Sequence, residues 1–442
     1  MHLGRGSHCV DTVDEGTRRR SSDAWRKIGH SSSHWPLMRR RIRCLAMKFK
    51  HRNCFLWFSA LTCSFGGLLL LVGRNYTASV PVLETYDFVN GDPVRVEFKP
   101  RWSDKCHPVT KLAFLKVHKA GSSTVANIIQ RFGFTRNLNF VVPRKPLHTF
   151  AYNYIGHRGD TVSRDRILPP PPGESYDILW NHVTYNHDAF REIMPKDTRY
   201  ISILREPFDQ FVSAYEYYVL VGKRRNETLH QHRNPIADYL DNEGQRSVRS
   251  RMDRVRNSQS YDMGFTFPAL SNRTEAMAYI SHLDGDFDLV MLMEYFDESL
   301  VLLKRIFCWS LKDILYFHHN KNNRRQQWMF SRDHYGKHRN ISRADYDLYN
   351  HFRKVFWKKV WSQGSDFFEE VRYFKQLLHQ LRDYCIVGRT LEVPQSVWGD
   401  GFVVDQRDCF YIKMSELAFF DRILNTTYTK ISSNANSFHK PH

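Results

Sequence analysis

The stretch KLAFLKVHKAGSSTVANIIQRF, Lys111 to Phe132, decides the architecture. Its first seven residues, Lys111 to Val117, form an apolar run of strand length. Its last nine, Thr124 to Phe132, place Val125, Ile128, Ile129 and Phe132 at helical spacing. Between them lies His118-Lys119-Ala120-Gly121-Ser122-Ser123-Thr124. A strand that breaks into small residues and then starts a helix is a design for cradling a phosphate-like anion. Small residues let backbone N–H groups approach, the helix start supplies a positive dipole end, and Lys119 adds a full charge. The loop lacks the GxxxxGK[ST] order of a Walker A motif, which argues against an ATPase or an ordinary kinase. A turn closed by an N-capping serine fits the same letters.

Working outward, the same alternation recurs. Asp177 to His182 (DILWNH) is a second strand candidate, bounded upstream by Pro169 to Pro172. Arg199 to Leu204 (RYISIL) is a third, with Pro207 placed to open the next helix. Phe287 to Met293 (FDLVMLM) is a fourth, followed by an apolar helix over Ser299 to Phe307. From Ile341 onward the chain reads as helical and rich in Trp, Phe and Lys. Short apolar strands alternating with helices predict an α/β fold: a parallel sheet flanked by helices.

Two further strand ends carry chemistry. Arg205-Glu206-Pro207 follows the third strand, and Ser213 lies about two helical turns on. An arginine fork and a hydroxyl at that distance can hold a second phosphate; a salt bridge and a surface serine are the plainer reading. Asn181-His182-Val183 ends the second strand. Ligands of open α/β sheets bind outside the carboxyl ends of strands, and a histidine there can act as a general base. With 22 histidines in the chain, a packed or solvated imidazole is the default for any one of them.

Composition sets the frame. The chain has 442 residues, 42% hydrophobic and 25% charged, which excludes global disorder. The formal net charge of +19 favours anionic partners, yet residues 1–53 alone hold 13 Lys/Arg against 4 Asp/Glu. The remaining chain is therefore only mildly basic, and without zinc-finger or RNA-binding signatures no nucleic-acid partner is expected. Residues 54–73, CFLWFSALTCSFGGLLLLVG, are twenty long and uncharged, enough for one membrane-crossing helix. Basic residues precede this segment, whereas Arg74 to Pro93 hold one basic and three acidic residues. The asymmetry predicts a single-pass type II signal anchor with a cytosolic tail over 1–53, a lumenal stem over 74–108 and a lumenal domain over 109–442. Met47 offers a second start, with a compact tail MKFKHR. Five sequons, at Asn75, Asn226, Asn272, Asn340 and Asn425, all follow the anchor. So do Cys106, Cys308, Cys385 and Cys409, which allow two disulfides in three pairings.

Together these features suggest two phosphate sites and a base on one sheet. At this point the chain resembles the galactose 3-O-sulfotransferases of the Golgi, within the wider carbohydrate sulfotransferases. The resemblance rests on FLKVHKAGSSTVANIIQRFG, ILWNHVTYN, ISILREPFDQFVSAYEYY and EYFDESLVLLKRIFCWSLKDILYF, and covers roughly Cys106 to Cys409. It implies a sulfotransferase fold with a P-loop-like site for the 5′-phosphosulfate of PAPS (3′-phosphoadenosine 5′-phosphosulfate), and no metal. Lys119, Ala120, Gly121, Ser122, Ser123 and Thr124 would form that site, with Lys119 stabilising the leaving phosphate. Arg205 and Ser213 would bind the 3′-phosphate, and His182 would be the base. The acceptor it implies is a terminal β-galactose on a glycolipid, such as galactosylceramide, or on a glycoprotein glycan. The location it implies is the Golgi membrane. The loop reads HKAGSST where vertebrate members of the family tend to read HKTASST. Basic residues at Arg254 to Asn257 and Asn320 to Arg325 could add contacts.

Two rival classes fit parts of the sequence. A Golgi glycosyltransferase would use Asp284-Gly285-Asp286 to hold a metal-bound sugar nucleotide, although Asp-Gly before a strand is also a turn signal. A lectin-like binder would use the same cleft without chemistry.

Overall fold

A computed structural model describes residues 86–89, 92–95, 106–144, 154–155, 160–220, 234–242, 255–318 and 328–437. Backbone alone is described at 86–89, 92–95 and 433–437. The anchor candidate at 54–73 and the basic run at 320–325 lie outside these residues, as do the sequons at Asn75 and Asn226. Among the described residues no helix is long and apolar enough to cross a membrane.

The stretch read as a stem contains an antiparallel hairpin, β1 (Tyr86–Val89) and β2 (Asp92–Arg95). The sequence between its strands is Asn90-Gly91, a strong two-residue hairpin signal that the proline-scattered surroundings obscured.

The central sheet has four parallel strands: β3 (Leu112–Leu115), β4 (Ile178–Leu179), β5 (Arg199–Leu204) and β6 (Leu289–Leu292). Their order is β4-β3-β5-β6. Leu112 is in register with Ile178 on one side and Arg199 on the other, and Ile201 with Leu289. Every residue of β3, β4 and β6 is buried, which is why these strands read as continuous apolar runs rather than alternating ones. The second strand is much shorter than DILWNH suggests. After Leu179 its backbone leaves β3, and single bridges from Ile178 to Phe140 and from His182 to Tyr154 replace ladder pairing.

Helices join and cover the strands. Ser122–Thr135 follows β3, Pro207–Ala214 follows β5, and Phe296–Phe307 follows β6. The last of these and Arg343–Trp361 both pack on β6. The carboxyl-terminal third is helical, as expected, apart from a small hairpin of β7 (Leu391–Val393) and β8 (Phe402–Val404). The disulfides are Cys106–Cys308 and Cys385–Cys409, one of the three pairings open from sequence.

The strand order fixes where a ligand can sit. From β3 the chain moves outward to β4; from β5 it moves the opposite way, to β6. The crevice between the carboxyl ends of β3 and β5 is therefore the topological switch point of the sheet.

Candidate anion and acid–base site at the switch point

The residues singled out from sequence converge on this crevice. Lys119 has φ 60 and Gly121 φ 79, so the chain turns twice through the left-handed region before the Ser122 helix begins. Gly121 is the N-cap, and no side chain caps this helix. The plainer reading of the loop, a serine cap, is thus not what forms. Ser122 points back instead, its Oγ donating to the Val117 carbonyl at 2.8 Å and closing the loop. A Cβ on Gly121 would collide with the sulfur of Met293. Ala120, Ser122 and Thr124 are buried, and Ser123 is half-buried.

The Lys119 ammonium stands 4.1 Å from the centre of the Tyr217 ring. Burial, followed by the nearby Arg205 charge, pulls its pKa below the ordinary lysine value, and Glu216 partly opposes this. A site that disfavours its own cation is one that an incoming anion would relieve. Tyr217 belongs to a π-helical segment, Tyr215–Leu220, that extends the Pro207 helix. Such segments occur frequently at functional sites.

Arg205 faces the same loop. Its Nη1 donates to the Lys119 carbonyl at 3.4 Å, and Nη2 lies 3.9 Å from Asp209. Glu206 caps the following helix by accepting from the Asp209 N–H at 2.8 Å. Ser213 lies in the last turn of that helix, half-buried.

His182 stacks on two neighbouring rings, 4.3 Å from His118 and 4.8 Å from Tyr154, centre to centre. The site thus holds two stacked imidazoles where sequence reasoning offered one. His118 is held by several bonds. Its Nδ1 is 2.8 Å from Asp262, its backbone N–H donates to the same carboxylate at 2.7 Å, and its Nε2 is 3.2 Å from the Tyr154 hydroxyl.

Asp262 belongs to a five-residue helix, Ser258–Asp262, that braces the whole site. Gln259, fully buried, accepts from the Arg205 N–H and donates to the Arg205 carbonyl, each at 2.8 Å. The Asp262 carbonyl accepts from the Tyr185 N–H, just beyond His182. Asp345 holds the start of this helix, accepting from the Ser260 N–H and hydroxyl at 2.7 Å each and from the Gln259 N–H at 3.3 Å. Burial pushes the Asp345 carboxyl up to about 6 despite those bonds. None of these braces was found from sequence. Each acts across more than fifty residues, and no local period marks it.

The Asp284-Gly285-Asp286 motif lies elsewhere. It closes the Arg273–Asp286 helix rather than forming a separate turn. Asp288, just before β6, accepts from the Tyr200 N–H and donates its own N–H to the Tyr200 carbonyl near the start of β5. The motif is therefore at the amino edge of the sheet, opposite the Lys119 loop. Asp284 pairs there with His351 at 3.0 Å.

A parallel α/β sheet with an uncapped helix start, a lysine and an arginine at its switch point makes a crevice suited to an anion. Comparison with known proteins narrows the class. The family model described as Galactose-3-O-sulfotransferase matches residues 35–398, and the chain belongs to that family. Human galactosylceramide sulfotransferase is 31% identical over 294 residues, covering 64% of this chain and 66% of that protein. Mouse galactose-3-O-sulfotransferase 3 is 33% identical over 288 residues, covering 62% and 63%. Mouse galactose-3-O-sulfotransferase 2 is 28% identical over 301 residues, covering 66% and 74%. The chain spans just under two thirds of the length of the galactosylceramide sulfotransferases it matches.

Proposed function

We propose that the protein transfers a sulfuryl group from PAPS to the 3-hydroxyl of a terminal β-galactose on a glycolipid or glycoprotein glycan. The observation that carries this reading is the uncapped start of the Ser122 helix with Lys119 and Arg205 turned toward one loop. These residues fit the two anionic ends of PAPS. Backbone N–H groups and Lys119 would take the phosphosulfate, with Ser123 and Thr124 beside it, while Arg205 and Ser213 would take the 3′-phosphate. PAPS supplies the activated sulfuryl group. Lys119 stabilises negative charge developing on the bridging oxygen, a contribution largest where the donor is preorganised and partly desolvated. His182 takes the proton from the galactose hydroxyl, and its stacking against His118 and Tyr154 fixes the plane of the ring. We further place the protein in the Golgi membrane as a type II anchor, on the apolar run at 54–73. The sugar-nucleotide alternative loses its main support, since Asp284 and Asp286 lie at the edge of the sheet opposite the anion loop.

The test is incubation with sulfur-labelled PAPS and galactosylceramide, lactosylceramide, N-acetyllactosamine or a core 1 O-glycan, each with and without EDTA. Label on a galactose acceptor, equal in both buffers, is expected. His182→Ala should abolish transfer and leave PAPS protection against thermal unfolding intact. Transfer to none of the four acceptors, with no such protection, would return the choice to a glycosyltransferase or a lectin-like binder.

A further inference from the structure

The amino edge of the sheet carries a side-chain cluster that the proposed reaction does not use. His187 opens the His187–Ile193 helix, and His282 and Asp286 stand one turn apart at the end of the Arg273–Asp286 helix. Asp286 is about nine-tenths buried. Its Oδ1 lies 2.8 Å from His187 Nδ1, and its Oδ2 lies 3.3 Å from His282 Nε2. One donor atom from each of the three residues lies within 4.8 Å of the others.

We propose that His187, His282 and Asp286 form a zinc site, with water as the fourth ligand. Tetrahedral zinc with bonds of about 2.0–2.1 Å to nitrogen and oxygen needs ligand atoms roughly 3.3 Å apart, so donors that now lie up to 4.8 Å apart would close in by rotation of the two imidazoles. The i, i+4 spacing of His282 and Asp286 presents both from one helix face. Two imidazoles with one carboxylate suit zinc better than magnesium or calcium, which prefer all-oxygen sites. The carboxylate is also oriented from behind, as metal-binding carboxylates usually are: the Tyr185 hydroxyl donates to Oδ2 at 2.9 Å.

One group opposes the ion. Arg191 Nη2 lies 3.6 Å from Asp286 Oδ1, with its half-exposed side chain resting over the Tyr200 ring. The competing account is that Asp286 simply accepts hydrogen bonds at a helix end. That account gives no metal affinity, and no gain from removing Arg191. Because the cluster lies opposite the Lys119 loop, the ion would pin the helix after β4 to the helix before β6 without entering the chemistry. The inference therefore does not depend on the sulfuryl-transfer reading, and zinc binding and transfer are measured separately.

The full-length chain, stripped with EDTA, would be titrated with zinc by calorimetry and with cobalt(II) by visible absorption. One zinc equivalent is expected, with the strong absorption of tetrahedral cobalt and no magnesium binding at this site. His187→Ala/His282→Ala should lose that equivalent while keeping the native circular dichroism spectrum, since neither imidazole is buried. Tyr185→Phe should weaken the site about tenfold, and Arg191→Ala should tighten it. An unchanged zinc stoichiometry in the double histidine variant, or no zinc equivalent in the native chain, overturns the proposal.

Discussion

Two strand-to-helix junctions face each other across the switch point, and they are built on opposite principles. The junction after β3 works through its backbone. Left-handed turns at Lys119 and Gly121 start a helix that no side chain caps. The junction after β5 works through side chains. Pro207 starts a helix that Glu206 does cap, so the proposed phosphate contact falls to the Arg205 guanidinium rather than to the helix start. A backbone cradle tolerates no added atom. A side-chain fork depends on how firmly its base is held, and Gln259 holds both backbone polar groups of Arg205. The first junction suits a reacting group whose position must be fixed closely, the second an anchoring phosphate.

Four substitutions test that contrast. The largest effect is expected from Lys119→Ala, which should lower turnover about 10²–10³-fold at saturating PAPS, the usual scale for removing one charge-stabilising donor. Because the Lys119 pKa is lowered, PAPS affinity in the native protein should begin to fall at a less alkaline pH than an ordinary lysine would give. That limb should be absent from the pH profile of the variant. Gly121→Ala forces a Cβ onto Met293 at a positive φ and should cost about 1–3 kcal/mol in stability together with most PAPS binding. Native-like PAPS affinity in this variant would break the backbone-cradle reading. Arg205→Lys keeps the charge but loses the planar fork. It should raise the KM for PAPS about tenfold with turnover at saturation little changed. A fall in turnover alone would instead move Arg205 to the reacting end.

The smallest effect concerns the brace behind the β5 junction. The Asp345 carboxyl titrates near about 6 when folded, above the ordinary aspartate value of about 3.9. The folded state therefore binds the proton more tightly, and this group's stabilising contribution is full below about pH 4 and is lost as pH rises through about 6. In Asp345→Asn that slope should disappear. Urea denaturation between pH 4 and 7 should show the native protein losing roughly 2 kcal/mol more than the variant over this window; parallel curves would place the titration elsewhere.

What was legible in the sequence was local. Arg199–Leu204 coincides with the third strand read from RYISIL, because Tyr200 to Leu204 are all buried in a parallel sheet and, Ser202 apart, apolar. The Lys119 loop was legible as a strand-to-helix turn because small residues separate an apolar run from a helical period. What failed was pairing at the sheet's margin. DILWNH contributes only Ile178 and Leu179 to the ladder, since its later residues turn away to place His182 beside Tyr154. The braces Asp262, Gln259 and Asp345 were invisible for a different reason. Each is an ordinary polar residue whose role exists only once distant segments meet, and His118 drew no notice beyond its loop until Asp262 stood beside it. The three residues after Lys119 with hydroxyls were read as equivalent, yet Ser122 spends its proton on Val117.

The Cys106–Cys308 bond joins the chain just ahead of β3 to the residue that ends the Phe296–Phe307 helix. Val109 strengthens the same junction, its N–H donating to the Phe307 carbonyl and its carbonyl accepting from the Trp309 indole. Tension arriving from the first 105 residues would thus be diverted at Cys106 into that helix. It would bypass β3 and the loop that β3 carries, so the crevice at the switch point would be mechanically insulated from whatever holds the protein at its amino-terminal end.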